Sequence, residues 1–183
     1  MPAPETYPVE IAGIQRQLHL FRVAPGLRIA ILNILGDTEL VQASAKALAE
    51  KLKDVDYDVV VTAEAKSIPL AYALSVETKK PYIVLRKSYK SYMGNAVQAE
   101  TNSITTGQPQ TLILDEKDHE LITGKKVLIV DDVISTGSTL QGIRNILNKA
   151  GAIVAGEAAI MTEGDPADWA NIISLGNLPL FKD

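Results

Sequence analysis

Four short apolar runs constrain this chain of 183 residues more than any other feature: Val59-Val60-Val61-Thr62, Tyr82-Ile83-Val84-Leu85, Val127-Leu128-Ile129-Val130 and the stretch from Ala152 to Ile160. They are rich in Val and Ile and alternate little with polar residues, as strands do when both faces of a parallel sheet are covered. Segments with helical spacing lie between them. Leu40, Val41, Ser44, Ala45, Leu48 and Leu52 share one stripe of a helix begun near Asp37 or Thr38, either of which can cap it. Leu140, Ile143, Ile146, Leu147 and Ala150 make a second stripe, which Gly151 is placed to end. A short alanine-rich helix is expected from about Ser67 to Ser75. Strands alternating with helices imply right-handed crossovers and an open α/β sheet, whose ligands bind beyond the carboxyl ends of the strands.

Two regions break the alternation. Residues 87 to 114 read as a polar loop followed by a hairpin of about Ala96 to Ile104 and Gln110 to Leu114, placed like a lid at the ligand edge. Residues 7 to 35 read as two or three antiparallel strands with a turn at Pro25-Gly26, and with the tail from Asn171 to Asp183 they are expected to form a small hood. One domain spans residues 1–183, with 1–35 and 165–183 contributing to that hood.

Composition removes several classes of chemistry. With no cysteine, disulfide frameworks, thiol nucleophiles and Cys-ligated metal sites are excluded, and His19 and His119 are the only histidines. A net charge of -4 gives no footprint for nucleic acid. No stretch approaches the roughly 18 apolar residues of a membrane span. Met1 to Glu10 carries two acids and three prolines where a signal peptide needs a basic and then an apolar region, so the chain reads as cytoplasmic.

The chemistry concentrates in Val127-Leu128-Ile129-Val130-Asp131-Asp132-Val133-Ile134-Ser135-Thr136-Gly137-Ser138-Thr139. A buried strand runs into two carboxylates, then into a hydroxyl-rich loop, then into the start of an amphipathic helix. Free amides at a helix start, the helix dipole and nearby hydroxyls make a cradle for a phosphate, with Gly137 allowing close backbone approach. Two carboxylates beside an anion site make sense if they accept hydrogen bonds from vicinal sugar hydroxyls, directly or through metal-bound water.

This segment resembles the phosphoribosyl pyrophosphate (PRPP) signature of the type I phosphoribosyltransferases. The resemblance extends to Glu64-Ala65-Lys66-Ser67, similar to the pyrophosphate loop of adenine phosphoribosyltransferases, with Lys66 where that loop has Arg and Ser67 where it has Gly. Arg86-Lys87 resembles the pair that begins the flexible lid of adenine-type members, and Lys90 falls within the same lid. The likeness covers roughly residues 36 to 163 and implies a mainly parallel sheet flanked by helices.

The resemblance implies displacement of Mg²⁺-bound pyrophosphate from PRPP by a ring nitrogen of a purine. Asp131, Asp132, Lys66 and Arg86 would act at the reacting centre. Ser135, Thr136, Gly137, Ser138 and Thr139 would hold the 5'-phosphate, and Glu64, Ala65, Lys66, Ser67, Arg86, Lys87 and Lys90 would serve the pyrophosphate. No metal ligand is expected directly from the protein, Mg²⁺ being reached through PRPP and water near Asp131 and Asp132. Adenine is the first base, because hypoxanthine-guanine members carry an Asp two residues before the motif glycine, where this chain has Ser135. Adenine-type members also carry a Glu in the lid hairpin, and here Glu100 and Thr105 compete for that place. A xanthine-type enzyme and a PRPP-binding regulator with little turnover stay open as alternatives. Family habit makes a homodimer the expected assembly.

Trp169, Phe181 and Phe21 are candidates to stack on a base, although core or interface roles are commoner for lone aromatics. The run Asp115, Glu116, Lys117, Asp118 and Glu120 reads as a solvated turn, and Asp165 and Asp168 as caps of a short helix.

Overall fold

The computed structural model describes residues 5–102 and 109–182. Its centre is a five-stranded parallel sheet in the order β10-β9-β8-β4-β5, made by β4 (Val59–Ala63), β5 (Tyr82–Leu85), β8 (Lys126–Ile134), β9 (Ile153–Glu163) and β10 (Ile173–Leu178). Every residue of β4 is buried, the burial that an uninterrupted apolar run calls for. Helices α1 (Thr38–Lys51) and α2 (Ile68–Thr78) cover one face, sharing a core with Val60, Leu128, Val130 and Ile160. On the other face α4 (Ser138–Lys149) packs with Val61, Ile129 and Ala159, and the short α3 (His119–Ile122) adds Ile122 there.

This arrangement places the ligand edge. The chain leaves β4 through α2 towards β5 and leaves β8 through α4 towards β9, so the two crossovers depart in opposite directions on opposite faces. Pairing of β4 with β8 runs from Val59↔Val127 to Val61↔Ile129 and stops, leaving Ala63 and Asp131 on either side of a crevice. A doubly wound sheet binds its ligand at such a switch point.

The hood is a four-stranded sheet in the order β1-β2-β3-β11, from β1 (Thr6–Ile11), β2 (Ile14–Ala24), β3 (Leu27–Ile31) and β11 (Phe181–Lys182). The tail therefore divides, with only Phe181–Lys182 pairing in the hood while β10 joins the central sheet beside β9. Phe181 meets Tyr7 edge-on at 5.2 Å between ring centres. Arg16 of β2 ties the hood to α1 by donating to Asp37 at 2.8 and 2.9 Å, and Asp37 in turn caps α1 by accepting from the Leu40 amide. The Arg16 guanidinium holds the Asp37 carboxyl below its ordinary range, so this stabilisation is present above that range and is lost as pH falls through the lowered value. Asp37→Ala is expected to cost about 1 kcal/mol from the cap, read as a lower urea midpoint at neutral pH and a smaller difference in acid.

The lid hairpin is β6 (Val97–Asn102) with β7 (Pro109–Leu114). Arg86 fixes its base to the central sheet by exchanging both backbone hydrogen bonds with Ile113. Ala99, Leu112 and Leu114 pack into the same core as Ile143 and Leu147 of α4, and Lys149 Nζ donates to the Gln98 carbonyl at 3.0 Å. Thr105 and Gly107 lie outside the described residues; Glu100 is exposed on β6, opposite Thr111. The acidic run that follows is no solvated turn throughout. Asp115 and Asp118 are each only 7% exposed, because Asp115 caps a 3-10 turn through the Lys117 amide and Asp118 accepts from Lys117 Nζ at 2.6 Å.

Candidate active site

β8 extends further than Val130, through both acids to Ile134, so Asp131 and Asp132 lie within the C-terminal half of a strand. Asp132 is 6% exposed and Asp131 half-buried. Across the crevice β4 ends at Ala63, and the chain passes through a cis Glu64-Ala65 peptide to Lys66 and Ser67. These two strand ends form one cavity of about 380 Å³ whose walls include Lys66, Ser67, Lys87, Asp131, Asp132 and Thr139.

Ser67 precedes α2 at the position where a serine ordinarily accepts a hydrogen bond from the helix's first amides, yet it makes no such cap. Its hydroxyl turns to β8 instead. Ser67 Oγ lies 2.6 Å from Asp131 Oδ1 and 3.1 Å from Asp132 Oδ1, and it accepts from the Asp132 amide at 2.9 Å. The same amide also approaches Asp131 Oδ1 at 2.8 Å. Lys66 Nζ stands 3.0 Å from Asp132 Oδ2 as a charge partner, although that buried oxygen receives no well-aligned hydrogen bond. Desolvation, and then the neighbouring Asp132 charge, push the Asp131 carboxyl well up from the usual carboxylate range; the Ser67 hydroxyl pulls the other way.

The loop from Ser135 leads into α4. Gly137 takes the N-cap with φ +75, a conformation that an L side chain resists, and offers no side chain to cap the helix; the Ser138 amide makes a long 3.4 Å contact to the Thr136 hydroxyl. Thr136 and Ser138 bring their hydroxyls within 3.1 Å of each other. Trp169 backs the loop: a Cβ built on Gly137 would lie 3.1 Å from its ring, and its indole N–H is fixed by the Glu163 carbonyl at 2.8 Å. Trp169 therefore packs against the loop, Phe181 packs in the hood, and Phe21 is 61% exposed on the outer hood.

The cations divide. Lys66 and Lys87 line the cavity, whereas Arg86 lies beside it with Nε 2.7 Å from Glu64 Oε2. Desolvation works against the Glu64 charge, but the Lys87 amide at 2.6 Å and the Arg86 guanidinium outweigh it and hold this carboxyl below its usual range. Lys90 is exposed at the start of a 3-10 turn, away from the cavity walls.

Two members of the site region escape a motif-based reading. Trp169 supports the loop from 32 residues further along. Glu163 ends β9 at the ligand edge, 8% exposed and with no side-chain partner among the described residues. The usable signal was an acid closing an apolar run. Burial pushes the Glu163 carboxyl up, so the folded chain holds its proton more tightly than the unfolded chain and stability declines as pH rises through that interval. Glu163→Gln should therefore melt higher than the parent at about pH 8 and match it near pH 4, where both forms are neutral.

A parallel sheet with its switch point between β4 and β8, two adjacent acids on β8 and a glycine-led helix start thus meet at one edge of the molecule. The family described as the phosphoribosyl transferase domain matches residues 31–172, and the chain belongs to this family. It is 32% identical over 147 residues to the purine biosynthesis transcriptional repressor PurR of Bacillus subtilis, across 80% of this chain and 50% of the repressor. It is 36% identical over 115 residues to a hypoxanthine/guanine phosphoribosyltransferase of Methanocella paludicola, across 63% of this chain and 56% of that protein. The chain thus spans about half the length of these curated relatives. Among solved structures, adenine phosphoribosyltransferase from Thermoanaerobacter pseudethanolicus superposes with a TM-score of 0.72 at 21% identity, covering 87% of this chain and 95% of that one. At that identity the likeness speaks for the fold.

Proposed function

We propose that this protein binds PRPP in the β4–β8 crevice and transfers its phosphoribosyl group to a purine, forming a nucleoside 5'-monophosphate and pyrophosphate. The observation that carries the reading is the convergence, in one cavity, of Asp131, Asp132 and Thr139 from the β8–α4 segment with Lys66, Ser67 and Lys87. In this scheme the amides at the start of α4, with the Ser138 amide leaving its long contact to Thr136, and the hydroxyls of Ser135, Thr136, Ser138 and Thr139 take the 5'-phosphate. Asp131 and Asp132 accept the ribose hydroxyls and stabilise positive charge developing on the sugar as the glycosidic bond lengthens. Lys66 and Lys87 meet the departing pyrophosphate, and Arg86 joins them by exchanging Glu64 for a phosphate oxygen. The lid hairpin excludes water, the competing nucleophile.

The acid pair suits Mg²⁺ carried by the substrate and approached through its water. Asp132 Oδ2 lacks an aligned donor and is able to accept from a metal-bound water. Mg²⁺ bound to pyrophosphate supplies neutralisation of the leaving group.

Adenine is the proposed base because Ser135 stands where a 6-oxopurine enzyme would carry its acid. The hypoxanthine/guanine name that several curated relatives carry makes that class the direct competitor. The likeness to a repressor over 80% of this chain favours a second reading, a PRPP-binding regulator with little turnover. One assay separates them: pyrophosphate release from Mg²⁺ and PRPP with adenine, hypoxanthine, guanine, xanthine, uracil and orotate. Release with adenine alone supports the proposal, release with hypoxanthine or guanine moves the base, and PRPP binding without release with any base supports the regulator.

A further inference from the structure

The pair of acids that would receive the ribose is already occupied from within. Three of its four carboxylate oxygens have protein partners: Asp131 Oδ1 faces the Ser67 hydroxyl and the Asp132 amide, Asp132 Oδ1 lies 3.1 Å from Ser67 Oγ, and Asp132 Oδ2 stands against Lys66 Nζ. Ser67 is 2% exposed and spends its hydroxyl here at the expense of capping its own helix. A hydroxyl carries one proton, so Ser67 serves one carboxylate at a time, in the manner of a sugar hydroxyl offered to the same acceptors.

We infer that Ser67 is an internal surrogate for a ribose hydroxyl: it closes the Asp131–Asp132 pair in the ligand-free protein and must be displaced, drawing residues 64–67 away from β8, when PRPP enters. The inference rests on the PRPP reading and deepens it. It makes Ser67 a positioning residue that sets how tightly the site takes its sugar, and it gives a physical meaning to a serine where the adenine-type loop has glycine. Without a ligand, the hydroxyl hydrogen bond offsets part of the cost of holding two carboxyls side by side. With a ligand, the same bond competes with the substrate's hydroxyls. Lys66 on Asp132 Oδ2 acts in parallel, and release of this lysine brings a cation to the pyrophosphate side of the cavity.

The test is calorimetric titration of the intact chain with PRPP plus Mg²⁺, with ribose 5-phosphate and with inorganic phosphate, for the parent, Ser67→Gly, Ser67→Ala and Ser67→Thr. A hydrogen bond to a charged group is worth about one decade in affinity. Ser67→Gly and Ser67→Ala should therefore bind PRPP and ribose 5-phosphate about tenfold more tightly. Ser67→Thr keeps the hydroxyl and should not share this gain, and any gain for inorganic phosphate, which has no sugar, should be smaller than that for ribose 5-phosphate. Weaker or unchanged sugar-phosphate binding in Gly and Ala overturns the surrogate role, since a purely structural clamp weakens the site when removed. Amide exchange on the unaltered protein gives a second reading that requires no variant to fold. Ribose 5-phosphate should speed exchange at residues 64–67, and unchanged or greater protection there overturns displacement. A parent that binds neither PRPP nor ribose 5-phosphate removes the PRPP reading itself, an outcome distinct from a parent that binds while its variants fail to gain.

Discussion

Changing both acids together, Asp131→Asn with Asp132→Asn, is expected to lower PRPP affinity about a thousandfold while raising the unfolding temperature near pH 8. The loss follows from removing two charged acceptors, each contributing about 1.5–3 kcal/mol through its hydrogen bonds. The gain follows from the cost of holding two carboxylates side by side at the bottom of a crevice. Asp132 is 6% exposed, and desolvation heads the causes that raise Asp131. Opposite signs in the two measurements mark a functional site, because an acid pair kept for stability would lose on both. A double variant that binds PRPP like the parent refutes the assignment of the ribose to β8.

Protons supply a check that needs no mutation. An unfolded Asp titrates near 3.9, and Asp131 in the folded chain titrates higher, at about 7. Between these values the folded chain holds the extra proton, so stability falls as pH rises through the interval. Asp132 and Ser67 are the groups facing it, the first raising its value and the second lowering it, while Lys66 stands on the far oxygen of Asp132. A ribose hydroxyl donates more strongly to an ionised carboxylate than to a protonated carboxyl, which keeps only weaker acceptor capacity. PRPP binding should accordingly tighten as pH rises from about 5 to 7 and release a proton near the upper end, measured as a buffer-dependent heat of binding.

How much of this was legible before folding depends on whether the signal is local. The stripe from Leu40 to Leu52 named the buried side of α1, and Asp37 caps it, because amphipathic period and cap are both properties of neighbours in sequence. The β8 motif was legible for the same reason: strand, acids, glycine loop and helix start are contiguous. β10 was hidden because Gly176 and Asn177 interrupt its apolar pattern, although the glycine is what lets β10 lie against β9, where a Cβ would come within 3.0 Å of Met161 Cε. Asp115 and Asp118 read as solvated because burial of an acid depends on partners that composition does not reveal. Ser67 depends on two strand ends meeting across 64 positions, and a loop alignment can record only that it departs from glycine. The pairing of Arg86 with Glu64, 22 positions apart, was out of reach in the same way, so a residue expected to stand ready for pyrophosphate is found engaged by a carboxylate.

Gly137→Ala is the second change with a large expected effect, because backbone and packing act on the same atom. At φ +75 the residue is left-handed, which costs an alanine about 1–2 kcal/mol. The added methyl would also stand 3.1 Å from Trp169 Cη2, against an indole held in place by the Glu163 carbonyl. Either the loop moves off the start of α4 or the indole shifts, and both spread the amides that would hold the phosphate. Affinity for ribose 5-phosphate and for PRPP should fall between tenfold and a hundredfold, the equivalent of about 1.4–2.8 kcal/mol. Adding Trp169→Leu should recover the part due to the contact and leave the part due to φ, so the double variant belongs between Gly137→Ala and the parent. If Gly137→Ala binds ribose 5-phosphate as the parent does, the phosphate lies elsewhere. If Trp169→Leu alone weakens binding as much as Gly137→Ala, the indole is the loop's main support and the glycine matters chiefly for the room it leaves the ring.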